Sequence, residues 1–106
     1  MKNETKLHKE CIKTLKSNNI PFVDTLQVST VSGTADIILC LNGVYTEIEL
    51  KTEIGSLSEA QIERARQVQA FGGKFFLVRN YLEFEEVLKG NKREYKPPIS
   101  KIFRPF

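Results

Sequence analysis

The chain has 106 residues, the length of one small domain, which leaves no room for a second hydrophobic core. Hydrophobic residues make up 41% of the sequence and charged residues 27%, which argues against an intrinsically disordered chain. No apolar run approaches the roughly 18 residues of a membrane span, and the N-terminus lacks the charged-then-apolar pattern of a signal peptide. These features predict a soluble cytoplasmic protein with no membrane partner.

The net charge of +3 says little by itself, but the charge is unevenly distributed. Residues 47–88 carry eight acidic and five basic residues, whereas residues 89–106 carry six basic residues and one acidic residue. The excess positive charge therefore lies mostly in the tail. We predict a domain over residues 1–90 and a basic, proline- and aromatic-containing extension over residues 91–106.

The two cysteines, Cys11 and Cys40, are far apart in the sequence. Each lies within an apolar pattern, and no Cys-x-x-Cys motif is present. This usage predicts buried, reduced thiols and favours neither a disulfide nor a zinc site. We expect no organic cofactor.

The first half of the chain predicts one helix followed by three strands. Apolar residues recur at helical spacing over residues 4–17, which is typical of an amphipathic helix. Residues 22–31 predict a first strand, and residues 35–41 and 44–51 predict two more. The dipeptide Asn42-Gly43 between the last two is the strongest short-range signal for a two-residue β-hairpin loop.

The second half predicts a helix, a strand and a helix. Ser58 and Gln61 form a capping-box pattern at the start of a helix over residues 58–71, and two glycines supply its stop. Residues 74–79 form the nearly continuous apolar run of a buried strand, and residues 81–89 predict a short third helix. The order α-β-β-β-α-β-α predicts a single small α/β domain with a mixed central sheet flanked by helices.

The hairpin register brings two acidic residues opposite each other. With a two-residue loop, Leu41 pairs with Val44, Asp36 falls opposite Glu49, and Lys51 continues the same face of the sheet. Facing side chains have Cβ atoms about 5 Å apart, where two carboxylates repel by roughly 3 kcal/mol at an effective dielectric constant of about 20. A hard divalent cation removes that repulsion, because Mg²⁺ binds one or two carboxylates together with water and phosphate oxygens. The alternative is an exposed sheet face whose acids are relaxed by solvent and by Lys51.

The first helix adds a third acidic residue. At about 100° per residue, Glu4 falls in the middle of the apolar face of the helix. The helix N-terminus favours an acid at this position but does not explain its inward direction. His8, at the edge of the apolar face, is expected to be a contact or surface residue, with a catalytic base as the alternative. Glu47 is expected to be a solvated acid at the periphery, with a place in the outer shell of a metal as the alternative. The opposite side of the helix carries lysines that form either a solvated face or a phosphate-tracking stripe: Lys2, Lys6, Lys9, Lys13 and Lys16.

These residues belong to an ordered set of patterns. The set comprises Glu4 ahead of the apolar helix face, Gly33-Thr34-Ala35-Asp36-Ile37, Ile48-Glu49-Leu50-Lys51-Thr52, and Gly55-Ser56-Leu57-Ser58-x-x-Gln61. Together they resemble the VRR-NUC family, the virus-type replication and repair nucleases of the PD-(D/E)XK superfamily. The resemblance covers roughly residues 3–88, and Ala35 stands where that family usually has proline.

The resemblance implies a metal-dependent endodeoxyribonuclease. Asp36 and Glu49 would bind Mg²⁺ or Mn²⁺, helped by the backbone carbonyl of Leu50. Glu4 would act through the metal or its waters. Lys51 would position the attacking water or stabilise charge in the transition state.

Gln61 is the fifth catalytic residue that the resemblance implies. The alternative is a purely structural role, because a capping-box glutamine is already engaged at a helix start. The resemblance also implies a homodimer that cuts branched DNA such as four-way (Holliday) junctions, and a short stand-alone chain resembles the phage-encoded nucleases of bacterial cytoplasm. Two other hypotheses stay open: a non-catalytic nucleic-acid-binding module or inhibitor with the same fold, and an RNA-cutting relative.

The basic residues outside the acidic cluster are the expected DNA contacts. We predict this role for Lys6, Lys9, Lys13, Lys92, Arg93 and Lys96. For the tail, the alternatives are that its aromatic residues (Tyr95, Phe103 and Phe106) pack across a dimer interface, or that it is disordered.

Overall fold

The computed structural model describes residues 3–52 and 54–99. The elements in chain order are α1 (Asn3–Ser17), β1 (Phe22–Asp24), β2 (Ile37–Leu41), β3 (Val44–Leu50), α2 (Glu59–Ala70), β4 (Lys74–Val78) and α3 (Tyr81–Lys89). The sheet order is β1-β2-β3-β4, antiparallel except for the parallel pair of β3 and β4. The predicted element order and the mixed sheet are confirmed. In the described ranges, every helix is too short or too polar to cross a membrane.

The β2–β3 hairpin forms as its loop sequence predicts. Asn42 and Gly43 both have positive φ, 53° and 81°, which a tight two-residue loop between twisted strands requires. Leu41 pairs with Val44, and the register continues to Ile37 opposite Ile48. Asp36, one residue before β2, is thereby brought to the level of Glu49 in β3.

Helices cover both faces of the sheet. α1 and α3 pack on the apolar face, where the buried core consists of Leu7, Cys11, Leu15, Ile37, Leu39, Ile48, Leu50, Phe76, Val78, Phe84 and Val87. α2 packs on the other face over a smaller cluster of Ala35, Ala65, Val68 and Phe75. The second face is therefore not the open surface that the hairpin pattern allowed as an alternative.

The first strand is shorter than predicted. β1 ends at Asp24, whose side chain accepts a hydrogen bond from the Leu26 backbone N–H at 3.1 Å and caps a single 3₁₀ turn over Thr25–Gln27. Short polar side chains compete in this way with the hydrogen bonds of a sheet. The predicted strand over residues 22–31 is wrong beyond its third residue.

The cysteines also differ from the prediction in part. Cys11 is buried under α1, and burial raises the pKa of its thiol to about 12. Cys40 is exposed, because it lies near the hairpin end of β2 on the face away from α1 and α3. Both are free thiols, as predicted.

The described part of the tail, residues 91–99, folds back on the domain. The Tyr95 N–H donates to the Phe75 carbonyl at 2.9 Å, and the Glu94 carboxylate accepts from the Phe75 N–H at 3.1 Å. The Tyr95 ring meets the Phe75 ring edge-on at 6.2 Å, and Arg66 binds the Pro98 carbonyl. Tyr95 therefore packs within its own chain, whereas the other two tail aromatics, at positions 103 and 106, lie outside the described residues.

Candidate active site

A cavity of about 360 Å³ opens where β3 ends, beside the first turns of α1 and α2. It is lined by Glu4, Thr5, His8, Leu26, Asp36, Glu49, Leu50, Lys51 and Gln61. Every residue expected at the catalytic or metal site lies in this wall, although these residues come from four separate parts of the chain.

The backbone around Asp36 is held in place by β1 and its 3₁₀ turn. The Thr25 N–H donates to the Asp36 carbonyl at 3.0 Å, and the buried Thr25 hydroxyl donates to the Ala35 carbonyl at 2.7 Å. The Asp36 carboxylate accepts a hydrogen bond from the Leu50 N–H at 2.9 Å, which ties it to the end of β3. Burial raises the pKa of Asp36 above its ordinary value. Thr25 was missed from the sequence, because a lone threonine in an assumed strand carries no signal.

Glu49 is the most constrained acid of the cavity. It is 3% exposed, and its Oε2 atom accepts a hydrogen bond from Gln61 Nε2 at 2.8 Å and lies 3.7 Å from Lys51 Nζ. Its Oε1 atom is buried and has no hydrogen-bond partner in the described part of the chain. Burial raises the pKa of Glu49 to about 8, and the nearby charge of Asp36 adds to the rise. The protein alone therefore does not fully compensate this carboxylate.

Gln61 reconciles the two interpretations of its role. Its Oε1 atom accepts from the Ser58 N–H at 2.9 Å, while the Ser58 hydroxyl accepts from the Gln61 N–H at 3.2 Å, which completes the capping box. A side-chain amide has a separate acceptor and donor, so the Nε2 group remains available to Glu49. The cap thus orients the amide towards the cavity.

Glu47 is a correction to the sequence analysis. It is fully buried, because α2 covers this face of the sheet and places Arg64 over it. Arg64 Nε lies 3.1 Å from each carboxylate oxygen and Nη2 lies 2.6 Å from Oε2, while the Tyr45 hydroxyl also donates to this carboxylate. Glu47 Oε1 in turn accepts from the Ala35 N–H at 3.4 Å. The expected solvated acid is a buried ion pair behind the cavity.

Arg64 was missed by sequence reasoning although a weak signal was present. It follows Gln61 by three residues on the same helix, so the two side chains share a face of α2. The spacing alone does not show that this face of α2 points towards the sheet, because the sequence does not say which face of the sheet α2 covers.

His8 and Glu4 lie at the α1 side of the cavity. His8 Nε2 and Asp24 Oδ1 are 3.1 Å apart, so of the two expectations, contact or surface residue, the structure favours the contact. Glu4 is exposed and lines the cavity, and its charge adds to the pKa rises of Asp36 and Glu49.

Gly33 joins the loop before β2 to the first turn of α2. Its φ is +85°, and a Cβ there would lie 2.6 Å from the Ala60 carbonyl carbon and 3.1 Å from the Gln61 nitrogen. Only glycine permits this approach, which keeps Asp36 and Gln61 on one cavity.

Gly33→Ala should lower the free energy of unfolding by about 3–5 kcal/mol, from positive-φ strain and from overlap with the helix backbone. Gly43→Ala is the matched control: its φ is +81° but nothing lies within 4 Å of the added methyl, so we expect a loss of about 1–2 kcal/mol. Urea denaturation followed by circular dichroism measures both. Equal losses would show that Gly33 does not hold α2 in place.

The residues of the cavity wall fit a small hard cation. In residues 3–52 and 54–99, no three His, Cys, Asp or Glu side chains form a group that could hold a metal ion. Mg²⁺ is nevertheless commonly bound by one or two carboxylates, with water and substrate phosphates completing its shell. Asp36 and Glu49 supply two carboxylates, and the unpartnered Glu49 Oε1 with its raised pKa is where a positive charge would be most stabilising.

The predicted DNA-contact residues fall into two groups. Lys6, Lys9 and Lys13 are exposed on α1, whose first turn borders the cavity. Arg93 and Lys96 instead line a hollow beside Gly73, where β4 begins. The cavity lies where β3 ends, and because β3 and β4 are parallel the two sites are at opposite edges of the sheet. Lys92, also in the tail, is half-buried. The structure does not bring these tail residues to the cavity.

No protein-family model matches this chain, and no curated protein matches it significantly in sequence. A functional assignment therefore depends on the residues of the cavity and on the motif resemblance.

Proposed function

We propose that this protein is a metal-dependent nuclease of the PD-(D/E)XK type that hydrolyses DNA phosphodiester bonds. The observation that carries the proposal is the Glu49 carboxylate. It is buried in the wall of an open cavity, with one oxygen unpartnered, opposite Asp36 and beside Lys51. Burying a carboxylate without full compensation is costly, so a sheet with a purely structural role gains nothing from this arrangement.

Asp36 and Glu49 would hold Mg²⁺ or Mn²⁺, together with the Leu50 backbone carbonyl. When bound, such an ion lowers the pKa of its water and polarises the scissile phosphate. The hydrogen bond from the Leu50 N–H fixes the Asp36 carboxylate, and that from Gln61 fixes the Glu49 carboxylate. These contacts preorganise both acids before substrate arrives.

Lys51 and Glu4 would act on the substrate and on water. The Lys51 side chain, 23% exposed at the cavity wall, would supply a positive charge where negative charge develops on the phosphate during attack. Glu4, at the exposed edge of the cavity, would accept hydrogen bonds from water there. The attacking water oxygen replaces the ester oxygen of the leaving strand, which departs with a proton.

The substrate preference that we propose follows the motif resemblance: branched DNA, cut by a pair of chains. The described residues form one cavity that combines Asp36, Glu49 and Lys51, so paired cuts on two strands require two copies. Sizing by light scattering, with and without a four-way junction, tests this part of the proposal independently of cleavage.

The wild-type protein should cut labelled DNA in Mg²⁺ or Mn²⁺ and should lose all cutting in a chelator. Lys51→Ala should cut roughly 10²–10³-fold more slowly, because it removes one preorganised charge at the reacting phosphate. Lys74→Ala, at an exposed position where β4 begins, is the control and should cut like wild type. Junction, linear duplex and RNA substrates are compared side by side.

The proposal fails if no DNA is cut, or if Lys51→Ala equals the Lys74→Ala control. Calorimetry separates it from a non-catalytic binding module: Mg²⁺ or Mn²⁺ should give a binding heat that Glu49→Ala abolishes. DNA binding without metal heat would favour the binding module.

A further inference from the structure

A second hollow, about 580 Å³ in volume, adjoins the cavity of the proposed active site. It runs between α1 and the segment that contains the 3₁₀ turn. His8 and Leu26 line both hollows, so the groove adjoins the cavity of the proposed active site at these two side chains.

The rim of the groove is positively charged. Lys9, Lys13 and Lys16 are exposed on successive turns of α1 along one side. The acid in the lining, Asp24, is already engaged, because its Oδ1 atom accepts from the Leu26 N–H at 3.1 Å and pairs with His8 Nε2. The net field along the rim favours a polyanion.

The floor of the groove is apolar. A surface that bound only the phosphates of a nucleic acid would require positive charge but no apolar floor. Ile12 is half-buried, and Leu26 is 65% exposed at the junction of the two hollows. Unpaired nucleotides expose the faces of their bases, whereas a duplex hides them in its stack. Proteins that bind single strands combine a positively charged groove with a surface on which bases stack, usually an aromatic one. Here the aliphatic side chains of Ile12 and Leu26 would supply that apolar surface.

We propose that this groove binds an unpaired nucleic-acid strand continuous with the strand held at the scissile phosphate. That the bound strand leads to a scissile phosphate rests on the proposed nuclease function, whereas binding in the groove does not require catalysis. The substrate would thus carry single-stranded nucleotides next to the cut, as at a flap, at a branch point with an unpaired arm or at an unpaired end.

The first test measures binding without metal, in an Asp36→Asn background that does not cut. The probes are a fluorescein-labelled oligothymidylate of about 20 nucleotides and a blunt duplex of equal length, followed by anisotropy. Lys9→Ala/Lys13→Ala should weaken single-strand binding about ten-fold at low salt. It should also reduce the slope of log affinity against log salt by about 1.4, since each phosphate contact to a single strand contributes about 0.7.

Two controls isolate the groove. Lys74→Ala/Lys89→Ala removes the same charge from exposed sites outside the groove and should weaken binding less than three-fold. Leu26→Ser keeps the charge and should weaken single-strand binding several-fold while leaving duplex binding unchanged. The proposal is overturned if both lysine pairs have equal effects, or if Leu26→Ser does not distinguish the two probes.

The second test measures cleavage by the otherwise wild-type protein. Lys9→Ala/Lys13→Ala should raise KM about ten-fold with kcat unchanged on a substrate with an unpaired flank, and should change neither on a blunt duplex. If neither the wild type nor any variant cuts any substrate while the binding differences are observed, the proposed nuclease function is wrong and the proposed strand-binding groove is supported. If the wild type cuts while Lys9→Ala/Lys13→Ala binds and cuts like Lys74→Ala/Lys89→Ala, the proposed strand-binding groove is wrong and the proposed nuclease function is supported.

Discussion

Arg64→Met should lower the free energy of unfolding by about 3–5 kcal/mol, because it leaves the Glu47 carboxylate buried without its charged partner. Glu47 is fully buried, and Arg64 contacts both of its oxygens through two nitrogens. Methionine keeps much of the length and apolar stem of arginine, so the loss reports the ion pair more than the packing. Urea denaturation followed by far-ultraviolet circular dichroism is the measurement, since the chain has no tryptophan.

Two further variants test this explanation. Glu63→Gln weakens the partly exposed pair with Arg66, which is 2.7 Å long with Glu63 38% exposed, and should cost less than about 1 kcal/mol. The double variant Glu47→Leu/Arg64→Leu removes both charges and should recover a large part of the loss, because paired apolar residues often replace a buried ion pair at little cost. A double variant as unstable as Arg64→Met would mean that the pair acts through shape and not through charge.

Glu49→Gln should abolish cleavage while stabilising the metal-free protein at alkaline pH. Removal of one of two metal-binding carboxylates should slow DNA cutting by roughly 10³-fold or more. The same carboxylate opposes folding when ionised, because it is buried with an unpartnered oxygen next to Asp36. Function and stability are therefore expected to change in opposite directions at this residue.

The sign of the pH dependence follows from the pKa values. The pKa of Glu49 rises from 4.5 to about 8 on folding, so between these values the folded state keeps a proton that the unfolded state has lost. The free energy of unfolding is therefore greatest below about pH 4.5 on this account, falls as pH rises, and levels off above about pH 8. The total loss is on the order of 2–5 kcal/mol. The raised pKa of Asp36 acts in the same direction.

Denaturation in a chelator at about pH 5 and pH 9 measures this effect. Wild type should lose stability between the two values, and Glu49→Gln should lose much less, so that the variant is the more stable protein at pH 9. Glu63→Gln, a half-exposed glutamate outside the cavity given the same substitution, should retain the wild-type slope. A Glu49→Gln protein with the full wild-type slope would rule out Glu49 as its origin.

The two predictions differ in how much of their basis was visible in the sequence. Asp36 and Glu49 could be placed opposite each other from the sequence, because Asn42-Gly43 and strict alternation determine a register through contacts within a few residues. The capping box of Ser58 and Gln61 is equally local and formed as predicted. The end of β1 was not predicted, because the Asp24 side chain replaced sheet hydrogen bonds with a capped turn.

The sequence by itself therefore determined the element order, the hairpin register and the helix start at Ser58, since each depends on neighbouring residues along the chain. Only the tertiary structure decided which side chains of the helices contact which side chains of the sheet. The placement of α2 against the sheet paired Arg64 with Glu47 and brought the Gln61 amide to Glu49. The placement of α1 beside the 3₁₀ turn opened the groove next to the cavity. Such contacts join residues far apart in sequence, and their geometry exists only after the hydrophobic faces have packed.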